Sequence, residues 1–262
     1  HYIPWRTVYK EGSLSTPCRM VFDASAKTPG GASLNSILAK GQNKLVKLYD
    51  LLLQFKSNKF GLAADISMCY NGTKLHEQDL CWQKYLWREP LTPAGQLSEM
   101  FITTIIYGVT SSGNQSQAAL CLLADKYEEK RKLPSIASNI IRKDTYVNDI
   151  VTSLADMDQV STARQELEEI MAGGSMTLKG FSISNSNPDD NVSPDGVTTG
   201  LCGYIWKPKK DVISINTLGI SDILPVQKDN LCKKSQEITR RIAAGIAARI
   251  FDPLGLAAPF TA

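Results

Sequence analysis

The order of apolar patterns along the chain predicts a mixed fold, α+β or α/β, and argues against a helical bundle. Two observations carry this. Short β-rich runs are interleaved with segments of helical period, and turn residues separate most of them. The composition is also that of a globular protein: 43% hydrophobic and 21% charged residues in a chain of 262. That length suits one large domain or two modest ones with a buried core.

Taken in order, residues 1–43 alternate extended runs with turn signals. Arg19-Met20-Val21-Phe22-Asp23 reads as a strand, and Thr28-Pro29-Gly30-Gly31 as the turn after it. Leu45, Leu48, Leu52 and Phe55 recur at helical spacing, which predicts a helix with one apolar face. Gly61 to Ile66 reads as a buried strand carrying a carboxylate, Asp65, near its end. Phe101 to Val109 is β-branched and apolar, which predicts a further strand. Gln115 to Lys130 is expected to be a helix with Ala118, Leu122 and Ala124 inward and Lys126 to Arg131 in solvent. Thr145-Tyr146-Val147 and Ile150-Val151-Thr152 form two short β-rich pieces, and Asn148-Asp149 between them is a hairpin signal. Asp156 to Met171 predicts a helix with Val160, Ala163, Leu167 and Ile170 on one stripe, ended by Gly173-Gly174. Residues 184–199 are rich in Asn, Asp, Pro, Ser and Gly, a loop and a candidate subdomain boundary. Leu201 to Ile215 reads as a hairpin across Lys207-Pro208-Lys209-Lys210. Ser235 to Phe251 predicts a helix with Ile238, Ile242, Ile246 and Ile250 four apart, stopped by Asp252-Pro253-Leu254-Gly255.

Several function classes are argued against. The six cysteines show no CxxC pair, and the two histidines are His1 and His76, so a Cys/His metal site is not expected. Scattered cysteines suit a reducing compartment. No signal-peptide pattern and no apolar run near eighteen residues is visible, so no membrane partner is expected. The chain starts at His1 and stops mid-pattern at Ala262, as a piece of a longer polyprotein would. A net charge of +3 permits a nucleic-acid partner without demanding one.

Two acidic residues are candidates for chemistry. Asp65 closes an apolar strand and Asp149 sits in a tight hairpin between two others. If those strands are neighbours, both carboxylates meet at one sheet edge. Hard divalent ions such as Mg²⁺ take one or two carboxylates of this kind plus substrate phosphates. Two such ions can clamp the attacking and leaving oxygens of a phosphoryl transfer. The plainer reading of an Asp in a turn is a turn residue.

Local words in the sequence add to this. Arg19 to Lys27 (RMVFDASAK) with Ser33-Leu34-Asn35 resembles the opening fingers segment of Bel-Pao-type reverse transcriptases. Ala64-Asp65-Ile66 through Tyr70, then Gln83 to Arg88, is similar to that family's first catalytic motif and the strand after it. Tyr107 to Ser112 resembles FGxxSSP, and Tyr146-Val147-Asn148-Asp149 resembles the YxDD box. Leu201 to Trp206 followed by Asp211 is similar to the LGxxW segment, and Phe251 to Gly255 with Pro259 to the FDPLG stretch. The words stand in family order and span nearly the whole chain.

The resemblance implies an α+β right-hand polymerase with fingers and palm, its antiparallel palm sheet backed by helices. It would divide as fingers over 1–60, palm over 61–185 with a fingers insertion near 77–100, and a primer-grip-like hairpin with the start of the thumb over 186–262. It implies RNA-directed DNA synthesis on an RNA template and DNA primer from deoxynucleoside triphosphates. The catalytic residues would be Asp65, Asn148 and Asp149. Two Mg²⁺ ions, or Mn²⁺, would be held by Asp65, the Ile66 carbonyl and Asp149. Tyr70 matches the aromatic that lies against the sugar of the incoming nucleotide, where a ring collides with a 2′-OH. Arg19 matches a fingers arginine on the triphosphate, Ser112 falls in the nucleotide-binding SSP motif, and Lys179 stands where the family has LxKW. The setting implied is intracellular, in the cytoplasm or a retrotransposon particle. From the residues alone each has a plainer reading: Tyr70 as a core aromatic, Arg19 and Lys179 as solvated side chains, Thr110 to Gly113 as a polar loop.

The sequence departs from the family pattern at one place above all. Asn148 stands where the box has an aspartate, and an amide offers an oxygen without charge. Losing one charge about 4 Å from a cation forfeits roughly 4 kcal/mol at an effective dielectric near 20. If half of that appears in the barrier the rate falls about 30-fold, and if all of it, nearly a thousandfold. Gly113 replaces the Pro of SSP, Cys69 a larger apolar residue, and Asn71-Gly72-Thr73 interrupts the apolar run after Tyr70. The expectation is an impaired polymerase. The rival from another class is a catalytically silent nucleic-acid-binding remnant, and the blandest is a structural protein with a coincidental carboxylate pair.

Overall fold

A computed structural model describes residues 1–9, 17–184, 199–217 and 239–257. In chain order the strands and helices are β1 (Trp5–Tyr9), β2 (Cys18–Phe22), α1 (Leu34–Ile37), α2 (Leu48–Gln54) and β3 (Phe60–Ser67). Then come β4 (Lys84–Glu89), β5 (Gln96–Phe101), α3 (Ser112–Arg131), α4 (Ile136–Lys143), β6 (Thr145–Tyr146) and β7 (Asp149–Leu154). The series ends with α5 (Met157–Gly173), β8 (Thr177–Ile183), β9 (Thr199–Leu201), β10 (Tyr204–Lys207), β11 (Val212–Ile215) and α6 (Arg240–Ala247). Among the described residues no helix is long and apolar enough to cross a membrane. The cysteines at 18, 69, 81, 121 and 202 are free thiols. The loop expected over 184–199 lies almost wholly outside the described residues, as do Ser235 to Ile238 of the expected last helix and Pro259.

The chain forms two compact units, each assembled from three stretches: 1–45, 66–142 and 163–178 in one, and 46–65, 143–162 and 179–262 in the other. Most of the four-stranded sheet, in the order β6-β7-β3-β8, belongs to the second unit. β3 and β7 run antiparallel, pairing Phe60 with Leu154 through to Asp65 with Asp149. β3 is apolar along almost its whole length because both of its faces are covered, as a near-continuous apolar run requires. The core on one side consists of Leu51, Leu52 and Phe55 with Ala63, Val151, Leu201, Tyr204 and Trp206. Phe55 meets Trp206 edge to face, ring centroids 4.9 Å apart. Gly61 is needed beneath them, since a Cβ there would lie 2.9 Å from the Phe55 ring. The second sheet of this unit is β11-β10-β9, the hairpin expected across Lys207 to Lys210 with one added strand. α2 starts three residues later than the Leu45 periodicity suggests, at Leu48, and keeps Leu52 and Phe55 inward.

In the first unit β1 pairs with β2 and β4 with β5, both antiparallel. Their core gathers Ile3, Ala24, Leu34, Ile102 and Ile106. Residues 101–109, expected as a strand, do not form one: β5 ends at Phe101. Ile102, Ile105 and Ile106 are buried while Phe101 and Tyr107 are exposed, and the backbone groups of the segment bond singly to separate partners. Ile102 N donates to Gln83 O (2.9 Å), Ile105 N to Thr73 O (3.0 Å), and Thr103 O accepts from Leu75 N (2.9 Å). The apolar, β-branched character of the segment was legible, and the absence of one continuous neighbouring strand was not.

α3 also differs from expectation. It begins at Ser112, and its buried stripe is Ser112, Ser116, Leu120 and Ala124 with Gln117; Ala118 and Leu122 are exposed. The inward residues at its start are polar and are accommodated individually. Gln117 Nε2 donates to Ile141 O (3.0 Å), and Ser116 Oγ shares a hydrogen bond with Cys69 Sγ (2.9 Å). A polar stripe of this kind is invisible to a search for apolar period. α5 keeps the expected stripe: Val160, Ala163, Leu167 and Ile170 are all buried.

Candidate functional site

The strand pairing brings two carboxylates to one edge of the second unit. Asp65 and Asp149 are directly opposed in the β3–β7 register. Opposed residues of an antiparallel pair share a face, with Cβ atoms about 5 Å apart. β6 and β7 are joined by a two-residue turn, since Tyr146 pairs with Asp149. The turn is therefore Val147-Asn148, one residue earlier than the expected Asn148-Asp149. Asp149 is the first residue of β7, held there by its pairing with Asp65. Val147 has φ +59. A positive φ at the first turn residue gives a twist that suits a hairpin, but it is costly for a β-branched side chain.

That turn aims Asn148 at Asp65: its Nδ2 donates a short hydrogen bond to Asp65 Oδ1. The other carboxylate oxygen, Oδ2, pairs with Lys179 Nζ of β8 at 3.2 Å. The Lys179 side chain is 62% exposed, so this ion pair is a loose one. Asp149 has a different environment. Burial pushes its carboxyl up from the ordinary range, and the charge of Asp65 pushes the same way, while a hydrogen bond from Cys202 opposes both. Cys202 is buried, and its thiol is pushed up by burial and by the neighbouring Asp149.

Cys202 is the residue that sequence reasoning missed. It lies in a two-residue turn between β9 and β10, where Leu201 pairs with Tyr204 and both Cys202 and Gly203 have positive φ, +46 and +97. A Cβ on Gly203 would fall 2.2 Å from the Phe251 ring, so only glycine fits. The turn is anchored further by Tyr204, whose hydroxyl donates to Asp252 Oδ1 (2.5 Å) and accepts from Leu254 N (2.9 Å). The Cys-Gly pair between two apolar runs was the available signal for a tight hairpin.

The structure thus gathers Asp65, Asn148, Asp149 and Lys179, with Ile66 buried next to Asp65 in β3. The other candidates lie in the first unit. Tyr70 is buried and its ring centroid lies 4.1 Å from that of Tyr107, tilted by 41°. Ser112 is the buried first residue of α3, and its neighbour Gly113 has its Cβ position 3.8 Å from the Tyr70 hydroxyl. Tyr70 and the start of α3 are therefore neighbours. Arg19 is an exposed residue of β2. As a donor set, two opposed carboxylates match what a hard divalent ion takes from protein when phosphates supply the remaining oxygens. Asn148 adds an uncharged amide beside them. Among the described residues no group of three His, Cys, Asp or Glu is arranged to hold a metal.

No family model matches this chain, and no curated protein matches it. Solved structures do. The chain superimposes on the foamy viral protease-reverse transcriptase dRH in complex with ds DNA with a TM-score of 0.59, at 14% identity, over 94% of this chain and 35% of that one. The Prototype Foamy Virus Protease-Reverse Transcriptase, as the CSH mutant and in native form, aligns with a TM-score of 0.49 at 15% identity over 69% of this chain and 20% of theirs. The first alignment carries the conclusion. The chain has a reverse transcriptase-like fold, mixed helices and antiparallel sheet, and it spans about a third of that protein's length.

Proposed function

We propose that this chain is the fingers and palm of a reverse transcriptase-like polymerase of Bel-Pao type, a nucleotidyltransferase weakened at its own site by Asn148. The observation that carries the reading is the register pair Asp65–Asp149 at the edge of β3 and β7. Residues 1–60 would serve as fingers, 61–185 as palm with a fingers insertion near 77–100, and 186–262 as primer-grip-like hairpin and start of the thumb. The ligands would be an RNA template, a DNA primer and deoxynucleoside triphosphates, inside the cell or the element's particle.

In this reading Asp65, the Ile66 carbonyl and Asp149 would hold two Mg²⁺ ions, or Mn²⁺. Divalent ions in such a position supply charge neutralisation on the transferred phosphoryl group and activation of the primer 3′-OH. The chain's own residues do the rest. Arg19 grips the triphosphate, Tyr70 excludes a 2′-OH, Ser112 lines the nucleotide site, and Lys179 faces the leaving pyrophosphate. Asn148 supplies size and an oxygen without charge, which weakens the hold on cations and leaves the nucleic-acid surface intact.

A second reading, a silent nucleic-acid-binding remnant, is favoured by one feature: both oxygens of Asp65 already have donors, Asn148 and Lys179. Template-primer binding measured beside primer extension, with Mg²⁺ and with Mn²⁺, separates the two. Binding with measurable extension that Asp65→Asn removes supports the polymerase. Binding with no extension in either metal supports the remnant, and no binding at all overturns both.

A further inference from the structure

Asp65 stands near the end of β3, a strand flanked in the sheet by β7 on one side and β8 on the other. A donor reaches it from each side. Asn148, in the turn that leads into β7, gives its Nδ2 to Oδ1, and Lys179 of β8 sets its Nζ 3.2 Å from Oδ2. A carboxylate only accepts, so the amide presents its nitrogen to Asp65 and turns its own oxygen elsewhere. To offer that oxygen to a cation at Asp65 the amide has to flip, and the flip breaks the bond to Asp65. Lys179 in turn supplies a positive charge beside two opposed acids, Asp65 and Asp149. Against Oδ2 it takes a position that a divalent ion needs for itself. The backbone supports this placement. Gly180, the next residue of β8, has φ +63, and no atom lies within 4 Å of where its Cβ would be. The glycine therefore serves the direction of the chain, not close packing, and a positive φ inside a strand redirects it just past Lys179.

We propose that Asn148 and Lys179 form a latch across Asp65, an autoinhibitory contact that stands in for a cation and has to open before one binds. The latch presupposes the proposed cation site and governs when that site is free. It acts differently from the loss of a ligand charge. A missing charge weakens the hold on a cation, whereas a latch competes with the cation for Asp65. If latched molecules outnumber open ones by a factor K, the apparent affinity for a cation falls by 1 + K. The lysine half is the weaker one: its side chain is 62% exposed, and such a pair contributes about a factor of two to five. The amide half is a hydrogen bond to a charged, partly buried acceptor, which contributes about tenfold.

The test uses Mn²⁺ alone as the probe, with binding to the whole chain read from the electron paramagnetic resonance signal of the free ion. The binding counted is that which Asp65→Ala removes. Asn148→Ala is the decisive variant, because it removes the donor and adds no charge. The latch predicts that it tightens Mn²⁺ binding by about fivefold or more, although an oxygen is lost with the amide. Lys179→Met should tighten binding about two- to fivefold, and Lys179→Arg, which keeps the pair, should stay within about twofold of wild type. Urea unfolding of the metal-free chain gives a readout independent of cations. With Asp65→Ala already present, Asn148→Ala should shift the midpoint less than it does in the wild type. Circular dichroism shows whether folding is equal, and Asn148→Gly, which suits a tight turn, replaces Asn148→Ala if that variant misfolds. Binding that is unchanged or weaker without the Asn148 side chain overturns the latch and leaves the cation site standing. Tightening in Lys179→Met alone overturns it as well, in favour of a plain charge effect of the lysine. No Mn²⁺ binding by wild type, Asn148→Ala or Asn148→Asp overturns the cation site, and the latch with it.

Discussion

Two carboxylates of this chain, Glu166 and Asp149, are both withdrawn from water and behave in opposite ways. Glu166, on α5 in the first unit, accepts from Ser135 Oγ (2.7 Å), from Ala137 N (3.2 Å) and from Arg131 Nη1 at short range. Burial alone would push its carboxyl up, yet these donors outweigh it and hold it below the ordinary range. Asp149, at the β3–β7 edge, faces another carboxylate and has Cys202 as its donor, and its carboxyl is raised. A carboxylate that secures a fold is saturated with donors. One left short of positive charge beside a second acid is unfavourable for stability, and in the proposed polymerase reading a bound cation would relieve that deficit.

The sharpest way to test the contrast is to change the charge at the deficient site. In the polymerase reading, Asn148→Asp should raise primer extension on an RNA template by at least an order of magnitude. The restored charge recovers much of the roughly 4 kcal/mol forfeited by the amide, and the side chain keeps its size. Extension assays of both proteins, with circular dichroism to show equal folding, measure it; equal and measurable extension would mean that Asn148 was never the limiting lesion.

The saturated site should respond in stability. Glu166→Ala strips the acceptor from Ser135, Ala137 N and Arg131, and should cost about 2 to 3 kcal/mol, with Arg131 discounted because it is partly exposed. Urea denaturation reads the loss. A cost under about 0.5 kcal/mol would show that Glu166 is not the anchor that its donors suggest.

A smaller effect is expected at Asp144, a buried carboxylate with one partner for its side chain, Thr152 Oγ1 at 2.6 Å, and none for Oδ1 among the described residues. Burial raises its carboxyl above the ordinary range. A raised folded-state value means the folded state binds the proton more tightly. That contribution is fully present below the unfolded value of about 4 and is lost as pH rises through the raised one. Asp144→Asn should therefore stabilise the protein by about 1 kcal/mol at pH 7, with the gain vanishing below about pH 4. A gain that persists unchanged at low pH would show that the charge was not its source.

Much of the sequence reading depended on local physics and held for that reason. The buried strand ending near Asp65, the helix stripe from Val160 to Ile170 and the Leu201 to Ile215 hairpin all follow from apolar period and turn residues, which act within a few positions of themselves. What the sequence by itself determined was therefore which segments are apolar, which of them are joined by turns, and that Asn148 puts an uncharged group beside Asp149. Only the tertiary structure decided the rest. It set the turn at Val147-Asn148, because Asp149 is held in register by Asp65 from 84 residues earlier. It rotated α3 onto a polar stripe, because Cys69 and Ile141 O offered partners there. It left 102–109 without a strand, because their hydrogen bonds go to separate partners. It brought Cys202 to Asp149 and Lys56 to Asp211, since pairings between distant segments depend on which neighbours the packed core supplies, and no local pattern encodes them.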